Sequence, residues 1–600
     1  MSLPREAVVR QKVTALRAYA TIRASRRSFK SPVDATPLTN KPDELIANVE
    51  PSGFDQAVLE MRAAVGLASV LLESEELDRH SRDTIPWQQT CSAVVYPGSR
   101  DEVCTIVKIA ARHRLPVWTF SKGKNWGYGA TMAARNGAVI LILERMNRIL
   151  EVNEDLAYAV IEPGVTYKQL SDHLKSRATK LWADCTDSTP EGSVLGNALD
   201  RGLGHTPYGD HFANLCGLEV VLADGEVIQT GAARPDSPAW HTFKWGAGPY
   251  VEGLFSQSNF GIVTQAGIWL MPEPEAFQAF FCEVEQEKNL PAVLDSLRRL
   301  ALAGAVRGTA HLINDILFLS MLMQYPHELR QGQPCLSDDT RSEIRSRYGI
   351  SPWTLTSGLY GTAAQVKANR DLIQRELKSY GKLTFVDRSD LTVFEWLTRF
   401  VKRTQHLPLL SGVSRLLRNF LIGRLPMEGF EVIPNAVSLL QGVPGEFIVR
   451  FAYFKSRQAR PIADVDPARD GCGLIWFAPV APLTGSHISR VLDLCRPVFR
   501  QHGFDFSVSL IVVNPRSAVL LMEIFYDKAD PDETARAKLL YEELRSLTER
   551  EGYQQYRTNV SNMHQLLEPA PQYQRFLHSM KKAVDPSGTL APGRYGIGSM

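Results

Sequence analysis

The stretch Trp118–Thr131, WTFSKGKNWGYGAT, decides how the rest of the chain is read. Glycines stand at 123, 127 and 129, directly after an apolar run. Glycine lacks a Cβ and tolerates positive φ, so successive backbone N–H groups in such a loop can turn inward around an anion. Lys122 and Lys124 add positive charge beside those donors, which suits a pyrophosphate. The spacing G-x-x-x-G-x-G is not the GxGxxG of a Rossmann fingerprint, and no helical pattern follows it directly. Alone, the motif is also that of an ordinary surface turn, so its surroundings carry the argument.

Upstream, Ser92–Tyr96 reads as a strand, Pro97-Gly98 as a turn, and Ser99 with Glu102 as a capping box opening a helix with Val103, Ile106, Val107 and Ala110 on one face. Val117–Phe120 is the strand that delivers the chain into the glycine loop. Downstream, Val139–Leu143 and Leu156–Ile161 read as buried strands, and Thr166 with Gln169 as a second capping box. Gly217–Gln229 is a hairpin turning at Asp224-Gly225. Strands and helices mixed in this order indicate an α+β nucleotide-binding domain.

Past Met271-Pro-Glu-Pro274 the texture changes to longer helical patterns, for example Val293–Leu302, and marks entry to a second domain. Residues 455–471, KSRQARPIADVDPARDG, read as an exposed polar loop. A helix over Thr534–Glu551 stops at Gly552. The boundaries expected are a basic arm over 1–60, a cofactor domain over 61–274, a cap over 275–550 and a returning segment over 551–600.

A net charge of +2 over 600 residues argues against a nucleic-acid partner. No apolar run is long enough for a membrane span. The eight cysteines show neither CxxC pairing nor metal-ligand spacing, so zinc and disulfide frameworks are disfavoured and reduced thiols are expected. The first thirty residues are rich in Arg and Lys with Glu6 their single acid, and read as a basic arm or, alternatively, a transit peptide. With no secretory apolar region after them, a cytoplasmic location is expected.

With these pieces in place, the chain resembles the flavoproteins related to vanillyl-alcohol oxidase and 4-cresol dehydrogenase. The likeness runs from about Ser92 onward and rests on GKNWGYG (123–129), GSVLGNALDRGLGHTPYGDHF (192–212), FKWGAGPYVEGLFSQSNFGIVTQAGIWLMPEP (243–274), WFAPV (476–480), YRTN (556–559) and AVDPSGTLAPGRYGI (583–597). It implies a two-domain α+β architecture: an FAD-binding domain completed by the C-terminal segment, and a central cap. By resemblance, the cofactor would lie against Ser121, Lys122, Gly123, Lys124, Asn125, Trp126 and Gly127, then Pro163, Gly164, Gly192, Ser193, Gly196, Asn197, Gly261, Ile262 and Val263. Small residues let a planar ring approach the backbone, which agrees independently.

The same resemblance implies oxidation of para-substituted phenols, with the phenolate oxygen held by Tyr128, Tyr556, Arg557 and Arg594. Two phenol donors and a guanidinium in a dry pocket would stabilise a phenolate, so hydride could leave the benzylic carbon to give a quinone methide. Hydration, cyclisation or desaturation would follow. A carboxylate is needed to manage the proton: Asp187 is the choice, with Asp184 and Glu191 as alternatives.

Where vanillyl-alcohol oxidase attaches flavin to histidine, this chain has Leu474, which excludes that link. FAD would be non-covalent, or joined to Tyr453, Asp466 or Cys472. The expected partners are a phenolic substrate, oxygen or an electron carrier as acceptor, and at least one further copy of the chain. The competing reading is a flavoprotein that uses FAD as a structural cofactor or cyclisation scaffold without net redox change.

Overall fold

The computed structural model describes residues 51–598 apart from 233, 235, 405–410, 423–425 and 427. The basic arm expected over 1–60 therefore lies almost wholly outside the described residues. No described helix is long and apolar enough to cross a membrane.

Three larger sheets, and a two-stranded one pairing Met271–Pro272 with Leu181–Trp182, are found among the described residues. In the first, β1 (Cys91–Val95), β2 (Val117–Phe120) and β3 (Ala138–Ile142) run parallel, with β3 in the middle. Parallel strands covered on both faces read as unbroken apolar runs, and all five residues of β3 are buried. The helix Arg100–Arg112 packs Val103, Ile106, Val107 and Ala110 inward as the periodicity predicts. Its cap is half the expected box: the Ser99 side chain accepts from Glu102 N, but the Glu102 carboxylate reaches Gly98 N rather than Ser99 N. At the second site Thr166 accepts from Gln169 N, while the Gln169 amide donates to Asn147 O.

The second sheet is antiparallel, in the order Ile149–Asn153, Tyr158–Ile161, Ile262–Trp269, Leu215–Val221, Val227–Gln229. The last two form the hairpin read from Asp224-Gly225, where Gly225 takes φ +77°.

The third sheet has eight antiparallel strands, beginning at β4 (Ala276–Val284) and including β5 (Ala310–Asn314), β6 (Gly473–Phe477), β7 (Ser507–Asn514) and β8 (Ser517–Tyr526). Across one half the order is β5, β7, β8, β6. The WFAPV motif thus starts on a strand of this sheet. The helix expected over Val293–Leu302 begins one turn earlier, at Leu290, and that over Thr534–Glu551 spans Pro531–Arg550. The chain then returns: Val117 N donates to Thr589 O and Ala591 N to Val117 O, both at 2.8 Å, laying residues 589–591 beside β2.

Residues 455–471 form the loop their composition suggests, exposed over 457–459 and 462–464, but three of its polar side chains tie it to the body of the protein. Lys455 is buried against Glu533 at 2.6 Å, Arg460 donates to the carbonyls of Ser320, Met321 and Met323, and Asp466 pairs with Lys124 at 2.7 Å. Polar side chains here are anchors whose partners lie far along the chain.

Candidate active site

The three sheets meet at a cavity of about 290 Å³ whose walls come from the glycine loop, residues 186–203, residues 255–263, the eight-stranded sheet and the segments 556–563 and 590–594. The glycine loop is held from two sides. Trp476 on β6 donates its backbone N–H to Gly127 O and its indole N–H to Trp126 O, and Val560 N donates to Tyr128 O. Gly127 and Gly129 take φ +79° and +128°, and a Cβ on either would come within 2.5 Å of Trp476 or Val560 side-chain atoms. From below, the Asp83 carboxylate accepts Gly129 N at 2.7 Å. The loop therefore presents Tyr128 in one orientation, stacked on Trp476 with ring centres 6.3 Å apart.

Tyr128, Asp187, Tyr556, Arg557 and Arg594 all line this one cavity, although they come from four separate segments of the chain. The Arg557 guanidinium carbon lies 5.1 Å from the Tyr128 ring centre and 5.3 Å from that of Tyr556. Its Nε and Nη2 donate to Asp200 O at 3.1 and 2.5 Å, and Nη1 donates to Asn125 Oδ1. Burial works against its charge, but Tyr556, Asp200 and Tyr128 outweigh that and hold it above the usual arginine value. The Tyr128 hydroxyl is buried without a hydrogen-bond partner, and burial with Tyr556 beside it raises its pKa well above the ordinary phenol range. It thus stays protonated at neutral pH, next to the Tyr556 hydroxyl on the cavity wall. Arg594 is committed to Asp200 Oδ1 at 3.0 Å. Asp187 accepts a hydrogen bond from its neighbour Thr186 at 3.4 Å. Of the alternatives, Glu191 is exposed, and Asp184 is buried outside the cavity wall against His211 and the N–H groups of Cys185, His205 and Thr206.

Among the cofactor positions, Ser121 through Trp126, Gly192, Ser193, Gly196, Asn197, Gly261, Ile262 and Val263 line the cavity. Gly127, Pro163 and Gly164 are not on its wall. Gly164 instead allows close backbone packing, since a Cβ there would stand 2.5 Å from Glu144 O, and Pro163 O accepts the Ser193 hydroxyl. The three candidates for a flavin link are also off the wall. Tyr453 is fully buried and donates to Asp470 at 2.5 Å, Asp466 holds Lys124, and Cys472 is buried with its thiol pushed up to about 12 by desolvation.

Sequence reasoning missed Asp200, which joins Asn125, Arg557 and Arg594 through its carboxylate and carbonyl. Its one local signal is its place closing the helix Val194–Leu199 within GNALDRG. It also missed Trp476 as a wall residue, His311 and Glu523 on the cap sheet, and Trp118, whose indole N–H is buried at the wall without a partner. The partnerless Trp118 and Tyr128 donors, with Arg594 Nε, fit a ligand rich in acceptor oxygens such as FAD.

Residues 91–231 match the FAD binding domain model. The chain is 36% identical to 1'-carboxy-chondrochloren decarboxylase of Chondromyces crocatus, across 91% of this chain and 98% of that protein. It is 31% identical to the 4-cresol dehydrogenase [hydroxylating] flavoprotein subunit of Pseudomonas putida, across 91% and 96%. The chain belongs to the vanillyl-alcohol oxidase and 4-cresol dehydrogenase family. The crystal structure of p-cresol methylhydroxylase with substrate bound superposes with a TM-score of 0.80 at 30% identity, over 92% of this chain and 98% of that one. As a member of this family the protein is an FAD-dependent oxidoreductase with the family's two-domain α+β fold.

Proposed function

We propose that the protein oxidises the benzylic carbon of a para-substituted phenol to a quinone methide. The convergence of Tyr128, Tyr556 and Arg557 on one cavity carries this reading. When bound, FAD supplies the acceptor for the benzylic hydride, held by the loop 121–126 and the walls at 192–197 and 261–263. Arg557, fixed by the Asp200 carbonyl, lowers the pKa of a substrate phenol, and the two tyrosine hydroxyls donate to its oxygen. The ionised oxygen pushes electron density to the para carbon, which weakens the benzylic C–H bond. Asp187 stands in the same cavity as the group that takes or returns a proton in the following step. A structural or scaffold role for FAD would leave this cluster without a task.

The quinone methide has two fates. Water can add to it, which is a hydroxylation, and the name of the 31%-identical relative describes that protein as hydroxylating. The name of the 36%-identical relative favours a second fate, decarboxylation. If the carbon next to the benzylic one carries a carboxylate, its bond to carbon dioxide breaks. The electron pair becomes the side-chain double bond, and the ring oxygen regains its negative charge. The acceptor is oxygen or an electron carrier, and the working form is at least a dimer; peroxide assay in air and light scattering test these two points.

The test is an anaerobic absorbance titration of the purified holoprotein with 4-alkylphenols and with N-acyl tyrosines. Bleaching of the flavin band supports the reading. A band that no phenol bleaches refutes it.

A further inference from the structure

The cap sheet contributes an acid that the proposed chemistry does not use. Across β5, β7, β8 and β6, the side chains of His311, Ser509, Glu523 and Trp476 reach the cavity. In the antiparallel register Glu523 stands opposite Ser507 on one side and Trp476 on the other, and the Trp476 ring stacks on Tyr128. Glu523 therefore faces the same cavity as Tyr128, beside the ring that stacks on it.

Glu523 is 1% exposed and lies in no described ion pair. Its Oε2 accepts the Ser507 hydroxyl at 2.6 Å and its Oε1 the Ser509 hydroxyl at 3.3 Å. The titratable group that acts on it electrostatically is Asp187, which lines the same cavity; His311 on β5 lines that cavity further along the sheet, opposite Ile511. His311 is held neutral by burial, more than Asp187 and its hydrogen bond to Gly204 O can offset. Burial pushes the Glu523 carboxyl up to about 8, against the pull of the two serines, with Asp187 adding to the rise. This favours the protonated form at neutral pH, in which the carboxyl can donate as well as accept.

We propose that Glu523 determines specificity: its carboxyl O–H donates to an acceptor oxygen, carboxylate or carbonyl, on the side chain of the phenolic substrate. A plain alkyl side chain offers this O–H no acceptor beyond the two serines, and sites built around a hydrogen bond discriminate strongly against analogues that lack the partner. A side-chain carboxylate forms a short charge-assisted O–H···O bond and an amide carbonyl a neutral one. The inference rests on the phenol-oxidising reading above.

The experiment measures anaerobic flavin reduction in the holoprotein with three phenols of equal length: 3-(4-hydroxyphenyl)propanoate, its primary amide and 4-propylphenol. The expected result is at least about a tenfold advantage, in reduction rate over dissociation constant, for the two oxygen-bearing phenols at pH 7. Glu523→Leu removes that advantage. An advantage shared by acid and amide identifies the acceptor oxygen as what is read; one confined to the acid identifies its charge. Should Glu523→Leu fail to fold, the pH profile decides. The wild-type advantage declines as pH rises through about 8, whereas Glu523→Gln, which keeps an N–H donor, stays flat. An equal advantage in wild type and Glu523→Leu, or a wild-type advantage constant from about pH 6 to 10, overturns the inference alone. If none of the three phenols reduces the flavin, the phenol reading falls and the inference with it.

Discussion

Arg557 and Tyr128, separated by more than four hundred residues of chain, sit with guanidinium carbon and ring centre 5.1 Å apart. The arginine is immobilised by two donations to the Asp200 carbonyl and one to Asn125, so its charge stays fixed when a substrate arrives. Preorganised charge of this kind needs no rearrangement as the phenol ionises.

Replacing Arg557 with Gln removes the charge and breaks the fork on Asp200. Flavin reduction by a responsive phenol should fall by about a hundredfold at pH 7. Raising the pH towards 10 should recover part of the loss, because the substrate then ionises unaided. Stopped-flow reduction measured across that range checks both points; a loss independent of pH would assign Arg557 a packing role only.

In the proposed reaction Asp187, on the cavity wall, handles the proton of the step that follows hydride loss. Asp187→Ser should slow flavin reduction by at least about tenfold while leaving FAD bound. Reduction kinetics and the 280-to-450 nm absorbance ratio, each referred to wild type, separate the two effects.

The three residues considered for a flavin bond each have another occupation: Tyr453 holds Asp470, Asp466 holds Lys124, and the Cys472 thiol is kept neutral by burial. FAD should therefore be released when the holoprotein is precipitated with trichloroacetic acid. Yellow colour remaining in the pellet would show that one of these groups, or another, has reacted.

Asp83 is fully buried beneath the glycine loop, and desolvation pushes its carboxyl up to about 6 despite Lys528 and the Thr84 and Gly129 amides. Its folded value exceeds its unfolded one, so the stability it contributes is complete below about pH 4 and is lost as pH climbs through about 6. Asp83→Asn keeps an acceptor for Gly129 but cannot ionise. Its melting temperature relative to wild type should rise between about pH 4 and pH 7, by the equivalent of about 2 kcal/mol. An unchanged difference over that range would place the charge elsewhere.

Local signals made much of the fold legible. Apolar runs marked the parallel strands, Asp224-Gly225 marked its hairpin, and the glycines of the 118–131 loop do adopt positive φ. What sequence reasoning could not reach depends on partners remote in the chain. Lys124 meets Asp466 across 342 positions, and Arg557 meets the Asp200 carbonyl across 357. In the polar stretch 455–471 the loop itself was legible but its anchors were not: composition reports a need for hydrogen bonds, and for Lys455, Arg460 and Asp466 that need is met by Glu533, the 320–323 carbonyls and Lys124. Glu523 was overlooked for the converse reason: within SAVLLMEIFY it is one acid in an apolar strand, and only the neighbouring strands give it two serines and a cavity. Asp200 acts partly through its backbone oxygen, a role no side-chain pattern encodes.

The hydrogen bonds that set Thr589 and Ala591 beside Val117, together with Tyr556, Arg557 and Arg594 at the cavity, have a biosynthetic consequence. A nascent polypeptide that has emerged only as far as β8 lacks one side of the chamber. Cofactor loading is therefore expected to follow completion of the chain, and a ribosome-stalled chain ending before residue 556 should take up no FAD.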